Sequence, residues 1–306
     1  MDFFMKILIS DKITESALSL LKDSQIDFDY QPEVSFAELT ASIPLYDALI
    51  VRSRTKVVKE IIDRGKNLKI IGRVGSGVDN IDTEAAQNKH IIVVNAPDAN
   101  SEAVAELTIG LMLSLLRKLN RAFSSMKEGL WLKKELGGSE LCGKTVGIVG
   151  YGHIGKKVAR LVSAFGANVL VYSRSHQTCT KEELFKQSDI ITFHLALNNE
   201  TKGFINKELI TLMKPTAFII NASRGEILDE ETLYQMLAEK KIAGAALDVF
   251  WQEPLPVESR WRKLDNVILT PHIGASTKEA LVRASITVLH DVINVLKGGK
   301  PQNQVL

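Results

Sequence analysis

Short apolar runs rich in β-branched residues alternate with segments of helical period: KILIS at 6–10, IDFDY at 26–30, ALIVRS at 48–53, KIIGRV at 69–74 and IIVVN at 91–95. Runs of this kind between helical patterns predict strands of a parallel α/β sheet, covered on both faces. After Asn95, Ala96 and Pro97 the pattern changes to one long helix from 101 to about 123. It is apolar at Val104, Leu107, Leu111, Leu115 and Leu119, with Asn100 or Ser101 as its cap. A polar, glycine-rich stretch, EGLWLKKELGGSELCGK, then leads into a second alternating series. This series holds a strand at Thr145–Val149, a helix at 156–165, and strands NVLVY (168–172), DIITFH (189–194), TAFIIN (216–221), IAGAAL (242–247) and NVILT (266–270). The last helix opens on STKE at 276–279, a capping box led by Ser276. It keeps Leu281, Ile286, Leu289 and Ile293 on one face and stops at Gly298 and Gly299.

Composition narrows the class. A chain of 306 residues is longer than one hydrophobic core usually serves, so two domains are expected. Its 38 basic and 36 acidic side chains leave a net charge of +2, no electrostatic reason to expect nucleic acid or an anionic membrane as partner. A small anionic substrate is compatible with that balance. The apolar run in MDFFMKILIS is too short for a secretory signal or a membrane span, and it reads as the first strand of a cytoplasmic protein. Cys142 and Cys179 lack metal-ligand or redox spacing, so neither a disulfide framework nor a metal site is expected.

The segment TVGIVGYGHIG at 145–155 sets Gly150, Gly152 and Gly155 in a G-x-G-x-x-G pattern between a strand and a helix. In a dinucleotide site the first glycine permits the turn, the second lets the backbone approach the pyrophosphate, and the third lets helix and strand pack closely. The phosphates then sit on free N–H groups at the positive end of the helix. An acidic residue is expected roughly 20 positions on, to hold the adenosine ribose 2′-OH. This chain has Ser173, Arg174 and Ser175 there, with His176 beyond. A guanidinium in that place accepts a 2′-phosphate, so the cofactor is NAD(H) or NADP(H) with a lean toward NADP(H).

Three later segments, INASRGEILDE, ALDVFWQEPLP and LTPHIGAST, carry polar residues where strands end. Ligands of open α/β sheets gather outside the carboxyl ends of strands, so Arg224, Glu253 and His272 are candidates for one cleft. Beside a nicotinamide they form a coherent set. Reducing a ketone builds charge on its oxygen, and an imidazole held by a carboxylate supplies the proton near neutral pH. Arg224 pairs with a substrate carboxylate through its planar fork.

The ordered motifs GRVGSGVDN, NAPDANSEAVAELT, GKTVGIVGYGHIG, NASRGEILDE, ALDVFWQEPLP and PHIGAST make the chain resemble the D-2-hydroxyacid dehydrogenases over nearly its whole length, most of all the branch acting on 3-phosphoglycerate. The resemblance implies a Rossmann dinucleotide-binding domain, 98–279, inserted in a flavodoxin-like substrate domain built from 1–97 and 280–306. It implies that His272 is the acid/base, Glu253 its partner and Arg224 the catalytic arginine. It places Gly75, Ser76 and Gly77 against substrate and nicotinamide, and has His153, Ile154, Leu195, Ala222, Ser223, Asp248 and Ala275 line the cofactor. The region 101–123 is similar to the segment through which the family forms homodimers. The C-terminal regulatory module of longer members is missing, so serine feedback through one is not expected. VRSRT at 51–55 most resembles the phosphoglycerate enzymes: Arg52, Ser53 and Arg54 either reach a substrate phosphate together or, as a strict strand, send the arginines to opposite faces. Two other readings stand beside serine-biosynthetic 3-phosphoglycerate oxidation: an NADPH-dependent glyoxylate or hydroxypyruvate reductase, and a dinucleotide-sensing corepressor that binds without turnover.

Overall fold

A computed structural model describes residues 5–305; the first four residues of the opening apolar run, and Leu306, lie outside it. The chain divides into two units, Met1–Asn100 with Ala275–Leu306, and Ser101–Gly274. In the first, β1 (Lys6–Ile9), β2 (Asp27–Tyr30), β3 (Ala48–Val51), β4 (Ile70–Arg73) and β5 (Ile92–Val94) form a parallel sheet in the order β2-β1-β3-β4-β5. That is the flavodoxin-like order. Alternation along each strand feeds two cores: Ile7, Ile9, Ala48 and Ile50 pack on one face, Leu8, Leu49 and Val51 on the other.

The helix Lys278–Leu296 covers the first of these faces with Ala284, Val288, Leu289, Val292 and Leu296. Of its expected apolar face, Leu289 is fully buried, Leu281 and Ile293 pack at the edge of the core, and Ile286 is only half-buried. Its cap is Thr277, whose hydroxyl accepts the Ala280 N–H at 3.1 Å, one residue later than the expected Ser276.

In the second unit β6 (Thr145–Val149), β7 (Asn168–Tyr172), β8 (Ile190–Phe193), β9 (Phe218–Asn221), β10 (Gly244–Leu247) and β11 (Val267–Leu269) make a parallel sheet in the order β11-β10-β9-β8-β6-β7. The chain goes from β6 to β7 on one side and then crosses to β8 on the other. The carboxyl end of β6 is therefore the point where strand order reverses, and ligands of such sheets bind there. Val149, Ile191, Phe193 and Ile219 pack on one face, Val146, Ile148, Ile190 and Ile220 on the other.

Two helix boundaries differ from the periodicity. The long helix is two, Ser101–Leu116 and Leu119–Lys127, because Lys118 takes left-handed backbone (φ 51°) and the Leu116 carbonyl accepts the Ser139 N–H at 2.9 Å. Asn100 does not cap the first of them: its amide nitrogen donates to Ser76 Oγ and its Oδ1 accepts nothing from the described residues. The helix after the glycine turn begins at His153, three residues earlier than expected, with Gly152 as its cap position.

The last helix and the first sheet meet closely at Gly72, where an added Cβ falls 2.6 Å from Val288 Cγ1 and 2.9 Å from Val292 Cγ2. Gly72→Ala is expected to reduce unfolding free energy by about 1–3 kcal/mol, the usual cost of overpacking. Urea denaturation checks this; an unchanged midpoint shows that the helix yields there without cost.

Candidate active site

The three glycines of the turn do three different jobs. Gly150 has φ 96°, a region that favours glycine, and an added Cβ meets the His194 carbonyl. Gly155 sits against the Gly150 carbonyl, so any side chain drives the helix from its strand. Gly152 has open space around it. The helix His153–Ala164 starts there with no side-chain cap, and the first N–H groups of a helix have no partner within it. Uncapped amides beside an open glycine fit a pyrophosphate. Beside them lies a cleft of about 320 Å³ whose walls include Gly150, Tyr151, Ser173, Arg174, His194 and Glu200. Of the expected cofactor contacts in this unit, Ile154 and Leu195 lean partly on the cores, Ala222 and Ser223 are buried after β9, and His153 is exposed.

The expected trio leaves the carboxyl ends of β9, β10 and β11. After β9, Asn221 folds the chain with its own side chain: Oδ1 accepts the Ser223 N–H and hydroxyl, while Nδ2 donates to the Arg224 carbonyl at 2.9 Å. Gly225 follows, pressed so closely against the Phe250 backbone that a Cβ cannot fit. That contact joins the Arg224 loop to the loop carrying Glu253. Glu253 accepts the Phe250 N–H on Oε1 at 3.0 Å and meets His272 Nδ1 with Oε2 at 2.7 Å. Among the described residues His272 Nε2 has no hydrogen-bond partner, so it is available for a ligand. His272 holds left-handed backbone (φ 52°), uncommon outside glycine, and its N–H donates to the Asp248 carbonyl. Asp248, expected to line the cofactor, is fully buried and clamps this loop: its carboxylate accepts Thr270 Oγ1–H at 2.6 Å, Ile273 N–H at 2.9 Å and Gly274 N–H at 2.8 Å.

Burial alone raises the Glu253 carboxyl. The hydrogen bonds from His272 and the Phe250 amide, with the charges of His272 and Arg224, outweigh it and hold the group below the ordinary glutamate range. Burial drives His194, at the end of β8, down to about 3, so this imidazole is neutral. Its Nδ1 has no partner among the described residues.

The first unit carries its own polar loops. Asp11, 3% exposed just beyond β1, organises the segment after β3. Its carboxylate accepts the N–H groups of Arg52 and Thr55, the Thr55 hydroxyl and Arg54 Nε–H, the last at 3.0 Å. Arg54 further donates to the Val34 and Ser10 carbonyls, so its fork is engaged in holding the fold. The Arg52 guanidinium makes no such contact with a described residue, and Ser53 is exposed. After β4, Gly75 (φ 145°) packs over the Arg73 guanidinium. Ser76 is held by Asn95 and Asn100, and with Gly77 it is half-buried, as is Ala275.

Residues 109–274 match the family model of the D-isomer specific 2-hydroxyacid dehydrogenase NAD binding domain. This chain belongs to that family. It is 42% identical to the D-3-phosphoglycerate dehydrogenase of Archaeoglobus fulgidus over 98% of its own length, and it spans 59% of that relative's. It is also 42% identical to the hydroxypyruvate reductase of Thermotoga maritima, covering 95% of this chain and 98% of the relative. Among solved structures, the TT0316 protein of Thermus thermophilus superposes with a TM-score of 0.92 at 32% identity, over 99% of this chain and 100% of that one. The NAD+-bound 3-phosphoglycerate dehydrogenase of Entamoeba histolytica gives 0.85 at 32% identity, over 99% and 98%. In this dehydrogenase-family chain sequence reasoning missed two organisers, Asp11 and Asn221, and the loop-clamping part of Asp248; all three stand at or just past strand ends, a position that signals loop control. Glu200 carried no such mark.

Two results are expected for this family member. Gly152→Val leaves the urea midpoint unchanged while weakening nicotinamide dinucleotide binding by about tenfold or more, whereas Gly155→Ala lowers the midpoint itself. Equal effects of the two on stability contradict the division of roles. For Glu253, a folded pKa below the unfolded one means that its ionised form stabilises the fold above 4.5 and loses that effect as pH falls through the lowered value. Glu253→Gln should therefore be less stable than wild type at neutral pH, with the gap closing on acidification. A gap that widens toward low pH refutes the sign.

Proposed function

We propose that this chain is an NAD(P)-dependent oxidoreductase that interconverts a small anionic 2-hydroxy acid and its 2-oxo acid. The best-supported pair is 3-phosphoglycerate and 3-phosphohydroxypyruvate, the chemistry that feeds serine biosynthesis. The observation that carries this reading is the Glu253–His272 contact of 2.7 Å, with Arg224 close enough to act on the same carboxylate. All three leave the same edge of the sheet as the glycine cradle, because parallel strands end on one side.

A nicotinamide dinucleotide held at the glycine cradle would supply the hydride chemistry. Glu253, ionised, takes the Nδ1 hydrogen of His272, fixing the ring so that Nε2 faces outward and handles the hydroxyl proton. Arg224 presents a planar fork to the substrate carboxylate. Arg52 is the better candidate of its pair for a substrate phosphate, since Arg54 is engaged by Asp11. That engagement also favours a second reading, hydroxypyruvate or glyoxylate reduction, and the Thermotoga maritima relative carries such a name. A cytoplasmic homodimer fits the rest. Phe123, Met126 and Trp131, 66%, 58% and 77% exposed, give the stretch just beyond the first long helix an apolar surface to cover.

Rates on 3-phosphoglycerate, glycerate, hydroxypyruvate and glyoxylate, each with both nicotinamides, test the assignment. For the phosphoglycerate reading, the phosphate raises kcat/KM and Arg52→Ala removes that gain; no gain assigns the chain to the reductase reading. On any active pair, His272→Ala should lower kcat by about 10²–10⁴-fold with dinucleotide affinity nearly intact. Near-normal kcat removes His272 from the chemistry.

A further inference from the structure

The carboxylate missing from the end of β7 has a counterpart elsewhere. Glu200, on the loop after β8, lies 3.0 Å from Arg174 Nη1, and both side chains line the cleft beside the glycine turn. Arg174 is therefore not an unpaired cation awaiting a phosphate. Ser173 is committed as well: its hydroxyl donates to the His176 carbonyl at 2.8 Å and accepts the His176 N–H at 3.0 Å, closing a tight turn. His176 in turn stacks on Tyr151 with ring centroids 4.7 Å apart. A 2′-phosphate, carrying about −1.5 to −2 charges at neutral pH by analogy with phosphorylated side chains, meets a carboxylate and a shared guanidinium. A ribose hydroxyl meets an acceptor.

We propose that Glu200 is the specificity-determining residue of the dinucleotide cleft: its carboxylate accepts a ribose hydroxyl of NAD(H) and repels the 2′-phosphate of NADP(H). This rests on the dinucleotide reading above and reverses the lean that Arg174 alone suggests. Glu200 can take this part without cost to the loop, because the turn is held by others. Asn198 Oδ1 accepts the N–H groups of Glu200 and Thr201, and Thr201 Oγ1 donates to the Ala196 carbonyl. Apart from Arg174 the Glu200 side chain has no partner among the described residues, and it is 73% exposed.

The test is direct binding of NADH and NADPH to the whole protein, followed by nicotinamide fluorescence without substrate. Wild type should bind NADH more tightly. Glu200→Gln should move the ratio of the two Kd values about tenfold toward NADPH, with an unchanged unfolding midpoint. In an Arg174→Met background, Glu200→Gln should still weaken NADH, because the carboxylate itself meets the ribose. A ratio that does not move, or a loss of the NADH effect once Arg174 is gone, overturns the proposal while leaving dinucleotide binding in place. Wild-type protein that binds neither dinucleotide overturns the dinucleotide reading, and this one with it.

Discussion

The buried side chain of Asp248 is the constraint on which the loops of the candidate site depend. It stands just beyond β10, inaccessible to solvent, and accepts three hydrogen bonds from the 270–274 segment. Hydrogen bonds contribute about 0.5–1.5 kcal/mol each, and left-handed backbone at a non-glycine residue costs on the order of 1–3 kcal/mol. The clamp therefore outweighs the strain at His272 and fixes the direction in which its ring leaves the sheet. A looser loop would relax His272 into ordinary backbone and turn the imidazole from Glu253.

From that anchor the charges follow. Glu253 is held on one oxygen by the Phe250 amide and on the other by His272, so its ionised form is favoured despite partial burial. An ionised Glu253 selects the Nδ1–H form of the imidazole, and this leaves Nε2 as the atom open to a ligand. Arg224 reaches the same field because Gly225 lets two loop backbones touch where any Cβ would intervene. Backbone contact at Gly225, with the hydrogen bond from Trp251 Nε1 to the Leu228 carbonyl, brings the guanidinium loop and the carboxylate loop together.

Much of this was legible in the chain. Strands buried on both faces announce themselves as continuous apolar runs, and all eleven predicted runs contain observed strands, none more than two residues shorter. Arg224, Glu253 and His272 were legible because each follows a strand that ends on the same edge. What escaped were features set by distant partners. The break at Lys118 depends on Ser139 and Glu135 folding back on the helix end, and apolar periodicity carries no trace of it. The chain gives no sign that Asp11, 43 positions away, engages the fork of Arg54. The cap on the last helix slipped by one residue because Ser276 and Thr277 are equivalent as side chains and only backbone direction separates them.

The arginine at the end of β7 shows the same limit in sharper form. A fingerprint that looks for an acid or a base at one position treats charge as a property of that strand, whereas the ligand meets the sum of every group on the cleft wall. Here the guanidinium arrives from one loop and a carboxylate from another, 26 positions on, and their pairing leaves little net charge. Both are exposed, so the pair itself contributes little to folding. Its consequence is for recognition: a doubly charged phosphate must compete with Glu200 for Arg174, while a neutral hydroxyl competes with nothing. On the proposal made for Glu200, selectivity between the two dinucleotides is a difference between two encounters with one ion pair, set by a side chain that adds almost no stability.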